Sequence, residues 1–179
     1  MVRFWLILAL ALPIFADRYY FTMPKEGDRA EAQLVREFGK AKTEIKAAIY
    51  SFTNGTITKA LKDAAARGVK VYIVVDEKNL RGNMEHSKAG ELAKLQNIKV
   101  RIAKGNKAKN GDYYGIMHHK IASIDRKVSI YGSANWTASA FNINHELLFI
   151  DDDPKMAQEI DTIVMEIFDR SADYINGKK

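Results

Sequence analysis

The segment His118-His119-Lys120-Ile121-Ala122-Ser123-Ile124-Asp125 places a histidine two residues before a lysine, with an aspartate five residues further on. On an extended chain, residues two apart project to the same face, so His118 and Lys120 point together and His119 points away. An imidazole beside a fixed ammonium suits attack on a phosphodiester. The imidazole nitrogen forms the new bond to phosphorus and the ammonium neutralises the phosphoryl oxygens. Seven residues after Asp125 comes Gly132-Ser133-Ala134-Asn135. Its hydroxyl (Ser133) and amide (Asn135) are expected to donate to the same oxygens. His86 lies in a polar stretch and is expected to be solvated. His145, next to Glu146, is expected to face away from whatever Glu146 faces.

Those residues need a scaffold that brings two strand ends together. The chain has 179 residues, 28% charged and 47% hydrophobic, which is a folded, single-domain composition and excludes a disordered or fibrous protein. Strand-like runs at Tyr19 to Met23, Glu44 to Phe52, Val69 to Val75, Ile98 to Ala103, Ile116 to Ile124, Lys127 to Tyr131 and His145 to Asp151 are separated by helical periodicity and turns. A helix capped by Asp28 carries Ala30, Leu34, Phe38 and Ala41. A second, with Ile57, Leu61, Ala64 and Ala65, ends at Gly68, and a short third carries Ala89, Leu92, Ala93 and Leu95. A last helix from Pro154 carries Met156, Ile160, Ile163, Val164 and Ile167. Lys78 to His86 and Lys104 to Gly115 are expected to be loops. This alternation predicts an α/β fold with a mixed, largely parallel central sheet flanked by helices.

Residues 1 to 16 stand apart: Arg3 gives a positive start, Phe4 to Phe15 is almost wholly apolar, and Ala16 precedes Asp17. They read as a secretory signal peptide, leaving 17–179 as one domain that is exported to the periplasm or to the outer membrane or cell surface. Left uncleaved, the leader would tether the domain to a membrane. There is no cysteine, so disulfides and thiolate zinc sites are excluded. No histidine pair has metal-ligand spacing on a helix, and Asp151-Asp152-Asp153 reads as a turn before Pro154, so neither metal nor other cofactor is expected. The formal charge of +6 and pI near 9.4 favour a polyanionic partner. Lys104, Lys107, Lys109, Tyr113 and Tyr114, just ahead of His118, combine phosphate-tracking cations with stacking rings, a pattern suited to holding single-stranded nucleic acid.

The pattern H-x-K-x4-D-x6-G-S-x-N formed by His118, Lys120, Asp125, Gly132, Ser133 and Asn135 resembles the signature of the phospholipase D superfamily, in particular its bacterial single-motif endonucleases. The resemblance covers the chain beyond its leader. It implies that His118 is nucleophile or general acid, that Lys120 and Asn135 grip the phosphate with help from Ser133, and that Asp125 is mainly structural. Glu146 would hydrogen-bond the histidine and fix its tautomer. It also implies metal independence and a site built from two facing motifs. With one motif per chain, that site requires a homodimer. The function implied is cleavage of DNA, single strands above all, or of RNA, through a phosphohistidine. The alternatives are a lipid hydrolase of the same superfamily and a non-catalytic nucleic-acid-binding protein of the same fold.

Overall fold

The computed structural model describes residues 18–22, 27–82 and 84–174, so the proposed leader and Met23 lie outside the described residues. In chain order the elements are β1 (Arg18–Phe21), α1 (Gly27–Lys40), β2 (Glu44–Ile49), α2 (Gly55–Ala66), β3 (Lys70–Asp76), α3 (Glu77–Gly82) and α4 (Ala89–Leu92). They continue as β4 (Ile98–Ala103), β5 (Lys120–Ile124), β6 (Val128–Gly132), α5 (Ala138–Asn142), β7 (Leu147–Asp151), α6 (Pro154–Asp169) and β8 (Ala172–Asp173).

All eight strands form one sheet in the order β1-β7-β6-β5-β2-β3-β4-β8. The sheet is mixed and flanked by helices, as the alternation implies, but parallel pairing is confined to β2-β3 and β3-β4. The expectation of a largely parallel sheet is corrected by the remaining ladders, all antiparallel. The physical reason is connection length. β2, β3 and β4 are joined through helices long enough for a crossover, whereas β5 and β6 are joined by a three-residue turn, 125–127, that only an antiparallel pair can use.

Asp125 and Arg126 open that turn at φ +52° and +56°. Both residues are left-handed, as a tight hairpin of the right twist requires, and the Lys127 amide closes the turn on the Ile124 carbonyl at 3.0 Å. Asp125 tolerates the strain because its carboxylate is fully engaged. It accepts from the amides of Lys42, Thr43 and Glu44 and from the Thr43 hydroxyl, at 2.8 to 2.9 Å. The turn is thereby stitched to the start of β2.

The apolar faces fall on both sides of the sheet. One side buries Ile45, Ala47, Ile49, Ala122, Ile130 and Ile150 under α1 and α2, with Trp136 fully enclosed. The other buries Ala48, Val74 and Met117 under Ile160, Val164 and Phe168 of α6. Asp161 of α6 reaches through this second layer to Lys46 of β2 at 2.8 Å, which fixes the helix along the sheet. Pro154 stands in the first turn of α6, as the sequence predicts, and Asp153 caps the helix through the Lys155 amide. Gly68, at φ +93°, follows α2 as expected.

Several elements differ from the sequence reading. Residues expected to be loop form α3, where the Asp76 carboxylate accepts the Asn79 amide and Glu77 pairs with Arg81 at 3.0 Å. The short α5 and β8 were not signalled by periodicity. The strand expected from Ile116 begins only at Lys120, because the Met117 amide turns to buried Asp76 at 2.8 Å instead of to a neighbouring strand. The strand expected from His145 begins at Leu147.

Burial alone would raise the Asp125 carboxyl, but hydrogen bonds from Glu44, Thr43 and Lys42 outweigh it and hold it below the usual carboxylate range. A depressed folded-state pKa stabilises the fold above the unfolded value, and that stabilisation disappears as pH falls through the folded one. Charge-assisted hydrogen bonds are worth roughly 1.5–3 kcal/mol each, less when half exposed. Asp125→Asn is therefore expected to lower stability by about 2 kcal/mol at neutral pH, with the difference from the parent closing as pH drops below about 4. Urea unfolding of both proteins across that range measures it. A difference independent of pH would contradict the assignment.

Candidate active site

The site lies at the end of the sheet where β2 and β3 finish and β5 begins, beyond the carboxyl ends of the parallel strands, where ligands of α/β sheets commonly bind. Ile49, the last residue of β2, pairs with Lys120, and the Tyr50 amide donates to the His119 carbonyl at 2.9 Å. This pairing brings Tyr50 to the two residues of the motif. Its ring meets the His118 ring edge-on at 4.6 Å between centroids, and the Lys120 ammonium sits 5.1 Å from its centre.

Lys120 is only 8% exposed. Its ammonium donates to the His118 carbonyl at 2.9 Å and forms no ion pair within hydrogen-bond reach among the described residues. Burial pushes it below the ordinary lysine range, and the negative charge of Glu146 opposes that shift. A buried cation with two donors to spare is expensive to keep, and an anion bound against it would recover part of the cost.

The 133–136 segment is pinned beside it by the chain that follows β2. The Trp136 amide donates to the Ser51 carbonyl, the Thr53 and Asn54 amides donate to the Trp136 carbonyl, and Phe52 and Phe38 pack edge-on against the Trp136 ring, each at 5.4 Å. The Ser51 amide donates to Asn135 Oδ1 at 3.2 Å. This fixes which end of the amide is which and leaves its NH2 donors for another acceptor.

Gly132 makes the crowding at the next strand end feasible. Its φ is +148°, and a Cβ there would stand 2.0 Å from the Leu147 carbonyl oxygen. Because β6 can approach so closely, Ser133 meets residues 146 and 147. The Ser133 hydroxyl donates to Glu146 Oε2 and accepts from the Leu147 amide at 3.1 Å. The Asn144 side chain donates to Glu146 Oε1 at 3.3 Å, and buried Thr22 ties the Glu146 backbone down from both sides.

His118, Lys120, Ser133, Asn135 and Glu146 thus gather at one end of the sheet, but two expected roles change. The Ser133 hydroxyl is committed to Glu146, so it positions that carboxylate instead of donating to a phosphoryl oxygen. The hydrogen bond expected between Glu146 and His118 is not made within the chain, where Glu146 instead accepts from Ser133 and Asn144. Asp125 stands apart from these residues and holds the turn after β5 to the start of β2. It lies at the opposite end of β5 from Lys120, about 16 Å along the strand. Sequence reasoning missed Tyr50, Thr22, Asn144 and Asp76. Tyr50, Thr22 and Asp76 act through partners distant in sequence that no local pattern reveals, and Asn144 acts on Glu146, two residues away.

The stretch before His118 is not structureless. The Gly105 amide donates to the Gly115 carbonyl and the Gly115 amide to the Asn106 carbonyl, each at 2.9 Å, the Ala108 amide donates to the Tyr113 carbonyl, and Lys107 bridges to Tyr114, which makes 104–115 a hairpin-like arm. Lys104 and Tyr114 meet at its base, ammonium 4.9 Å from the ring centre, and Lys104 also reaches Glu77 at 3.3 Å. Lys107 faces Asp112 at 3.8 Å, whereas exposed Lys109 and Tyr113 project at the tip, away from the base. His119 faces the α6 side, and His86 and His145 are exposed. Asp151, Asp152 and Asp153 are taken up by the Asp153 amide, Arg18 and the α6 cap.

Residues 34–168 match the family described as cardiolipin synthase, PLD-like domain. The chain belongs to the phospholipase D-like family. It is 34% identical over 125 residues to a phospholipase D from Rickettsia prowazekii, covering 70% of this chain and 56% of that one. It is 28% identical over 153 residues to the mitochondrial cardiolipin hydrolase of Homo sapiens, covering 86% of this chain and 55% of the relative. The chain therefore spans about half the length of the curated relatives it matches. Among solved structures, NucT from Helicobacter pylori superposes with a TM-score of 0.85 at 37% identity, covering 90% of this chain and all of that one. Nuc from Salmonella typhimurium, a phospholipase D family member, superposes with a TM-score of 0.73 at 27% identity, covering 90% and 99%.

The close approach at Gly132 supplies a test of this phospholipase D-like site. Gly132→Ala forces β6 away from Leu147, which is expected to cost about 2–3 kcal/mol of stability and to lower turnover by more than tenfold through displaced Glu146. Chemical denaturation and diester hydrolysis by the variant check both, and wild-type values in both would refute the role given to this glycine.

Proposed function

We propose that the chain is an exported, metal-independent nuclease that cleaves single-stranded nucleic acid, DNA in particular, and works as a homodimer. The observation that carries the substrate class is the base of the arm. There a lysine ammonium lies over a tyrosine ring on the segment that runs directly into His118, a cation and a stacking surface together. The surplus of basic residues supports a polyanion.

In this reading the diester oxygens lie against Lys120 and the Asn135 amide. The unprotonated His118 nitrogen attacks phosphorus, the bond to the leaving oxygen breaks, and a second imidazole gives that oxygen its proton. Water then attacks the phosphohistidine, losing its proton to the same second imidazole, and His118 is released. The chain has one histidine in this setting, and the second copy's His118 is the natural source of the other. Export follows from the apolar run at residues 4 to 15.

A lipid diester is the second reading, favoured by the names of the relatives, phospholipase D and mitochondrial cardiolipin hydrolase. A labelled single-stranded oligonucleotide and cardiolipin-containing vesicles, each incubated with the protein in EDTA, separate the two. Oligonucleotide cleavage without lipid hydrolysis is expected, and His118→Ala is expected to reduce it at least about a thousandfold with folding intact. Lipid hydrolysis with intact oligonucleotide would replace the nuclease reading, and a requirement for added metal would overturn the mechanism.

A further inference from the structure

We infer that the cleft of about 560 Å³ between the C-terminal end of α6 and the base of the 104–115 arm is a subsite for one unpaired base and its phosphate, next to the scissile bond. The inference rests on the nucleic-acid reading and assigns that substrate a second point of attachment, on the opposite face of the β5 entry from His118.

The cleft is lined by Lys104, Tyr114, His119, Glu166 and Arg170 over a floor that includes Ile167. Its volume falls within the range of small-ligand sites, roughly 300–1,000 Å³. The lining divides as a nucleotide does. Tyr114 and Ile167 offer a flat aromatic and an apolar surface to a base, while Lys104 and Arg170 bring two cations to a phosphate. Glu166 supplies an acceptor, which suits the amino group of a base edge and disfavours a cleft filled by phosphate alone. Burial, then the charges of Lys120 and His118, hold the His119 imidazole below its ordinary range. The neutral ring offers one donor and one acceptor.

Both walls are braced. Arg101 stacks on Phe168 at 4.4 Å, donates to the Phe168 carbonyl at 2.7 Å and pairs with Asp173, and β8 pairs with β4, so the end of α6 is held to the sheet edge. On the other side Gly105 and Gly115 close the arm so tightly that a Cβ on Gly105 would lie 2.6 Å from the Gly115 carbonyl carbon. Tyr114 is therefore fixed at the rim. His119 and His118 are consecutive, about 3.8 Å apart at Cα, and face opposite ways, so a strand crossing the sheet end meets the nucleophile and then the cleft. A base in a duplex has both faces covered by its neighbours and would have to be unstacked to enter. The cleft therefore selects single strands.

Steady-state cleavage of a short single-stranded oligonucleotide by Tyr114→Ala, Tyr114→Phe and Arg170→Ala tests this. Tyr114→Ala and Arg170→Ala are each expected to raise KM about tenfold with kcat within about threefold, while Tyr114→Phe stays near the parent because the stacking surface remains. Arg170→Ala is also expected to flatten the salt dependence of KM by about 0.7 in the log–log slope, the share of one lost phosphate contact. A KM and salt slope unchanged in both truncations, with the parent cutting the oligonucleotide, overturns the subsite alone. A parent that hydrolyses bis(4-nitrophenyl) phosphate but leaves the oligonucleotide intact overturns the nucleic-acid reading and the subsite with it.

Discussion

A lysine ammonium buried at the head of β5 is the constraint around which this end of the molecule is organised. Lys120 is only 8% exposed, on a strand paired on both sides. A charge so placed needs partners, and the fold supplies weak ones: a backbone carbonyl, the face of Tyr50 and the more distant field of Glu146. None neutralises it. The position is stable enough to persist and unsatisfied enough to favour an incoming anion, which is what binding a phosphodiester requires. Asp76, Thr22, Ser133 and Trp136 have no such freedom. Their hydrogen bonds and packing hold the backbone around the cation in place.

The sequence made the chemical core of the site legible because its spacing is local. His118 and Lys120 are two residues apart and Gly132, Ser133 and Asn135 follow one turn later, so strand geometry alone brings them to one end of a hairpin. Asp125 and Arg126 announce that hairpin, and the carboxylate that steadies its left-handed turn explains why an aspartate stands there. The same turn carried evidence against a largely parallel sheet, since strands joined by so few residues must run antiparallel. The helical crossovers between residues 44 and 103 describe only the parallel part.

What stayed hidden depends on register between distant segments. Tyr50 lies about 70 residues from His118, and nothing in either neighbourhood announces that β2 pairs with β5 instead of with β3 alone. Glu146 was recognisable as a carboxylate near the site. Its engagement by Ser133 and Asn144 follows from the close approach at Gly132, which becomes visible only when β6 and β7 are laid together. The arm at 104–115 read as a loop because its glycines and asparagines break periodicity. The same glycines let its two limbs pack against each other.

The site is open: His118 and Ser133 are exposed, and no second imidazole stands opposite His118 among the described residues. In-line displacement at phosphorus needs a nucleophile on one side and an acid on the other, so under the proposed mechanism the chain supplies half of a working centre. Mixing the parent with an equal amount of His118→Asn chain, allowing subunits to exchange, and measuring diester hydrolysis per total chain tests this most directly. If every active centre needs His118 from two copies, activity falls to about one quarter of the parent value, the fraction of pairs with both histidines under random pairing. Activity at one half would show that each chain acts alone and would contradict the account.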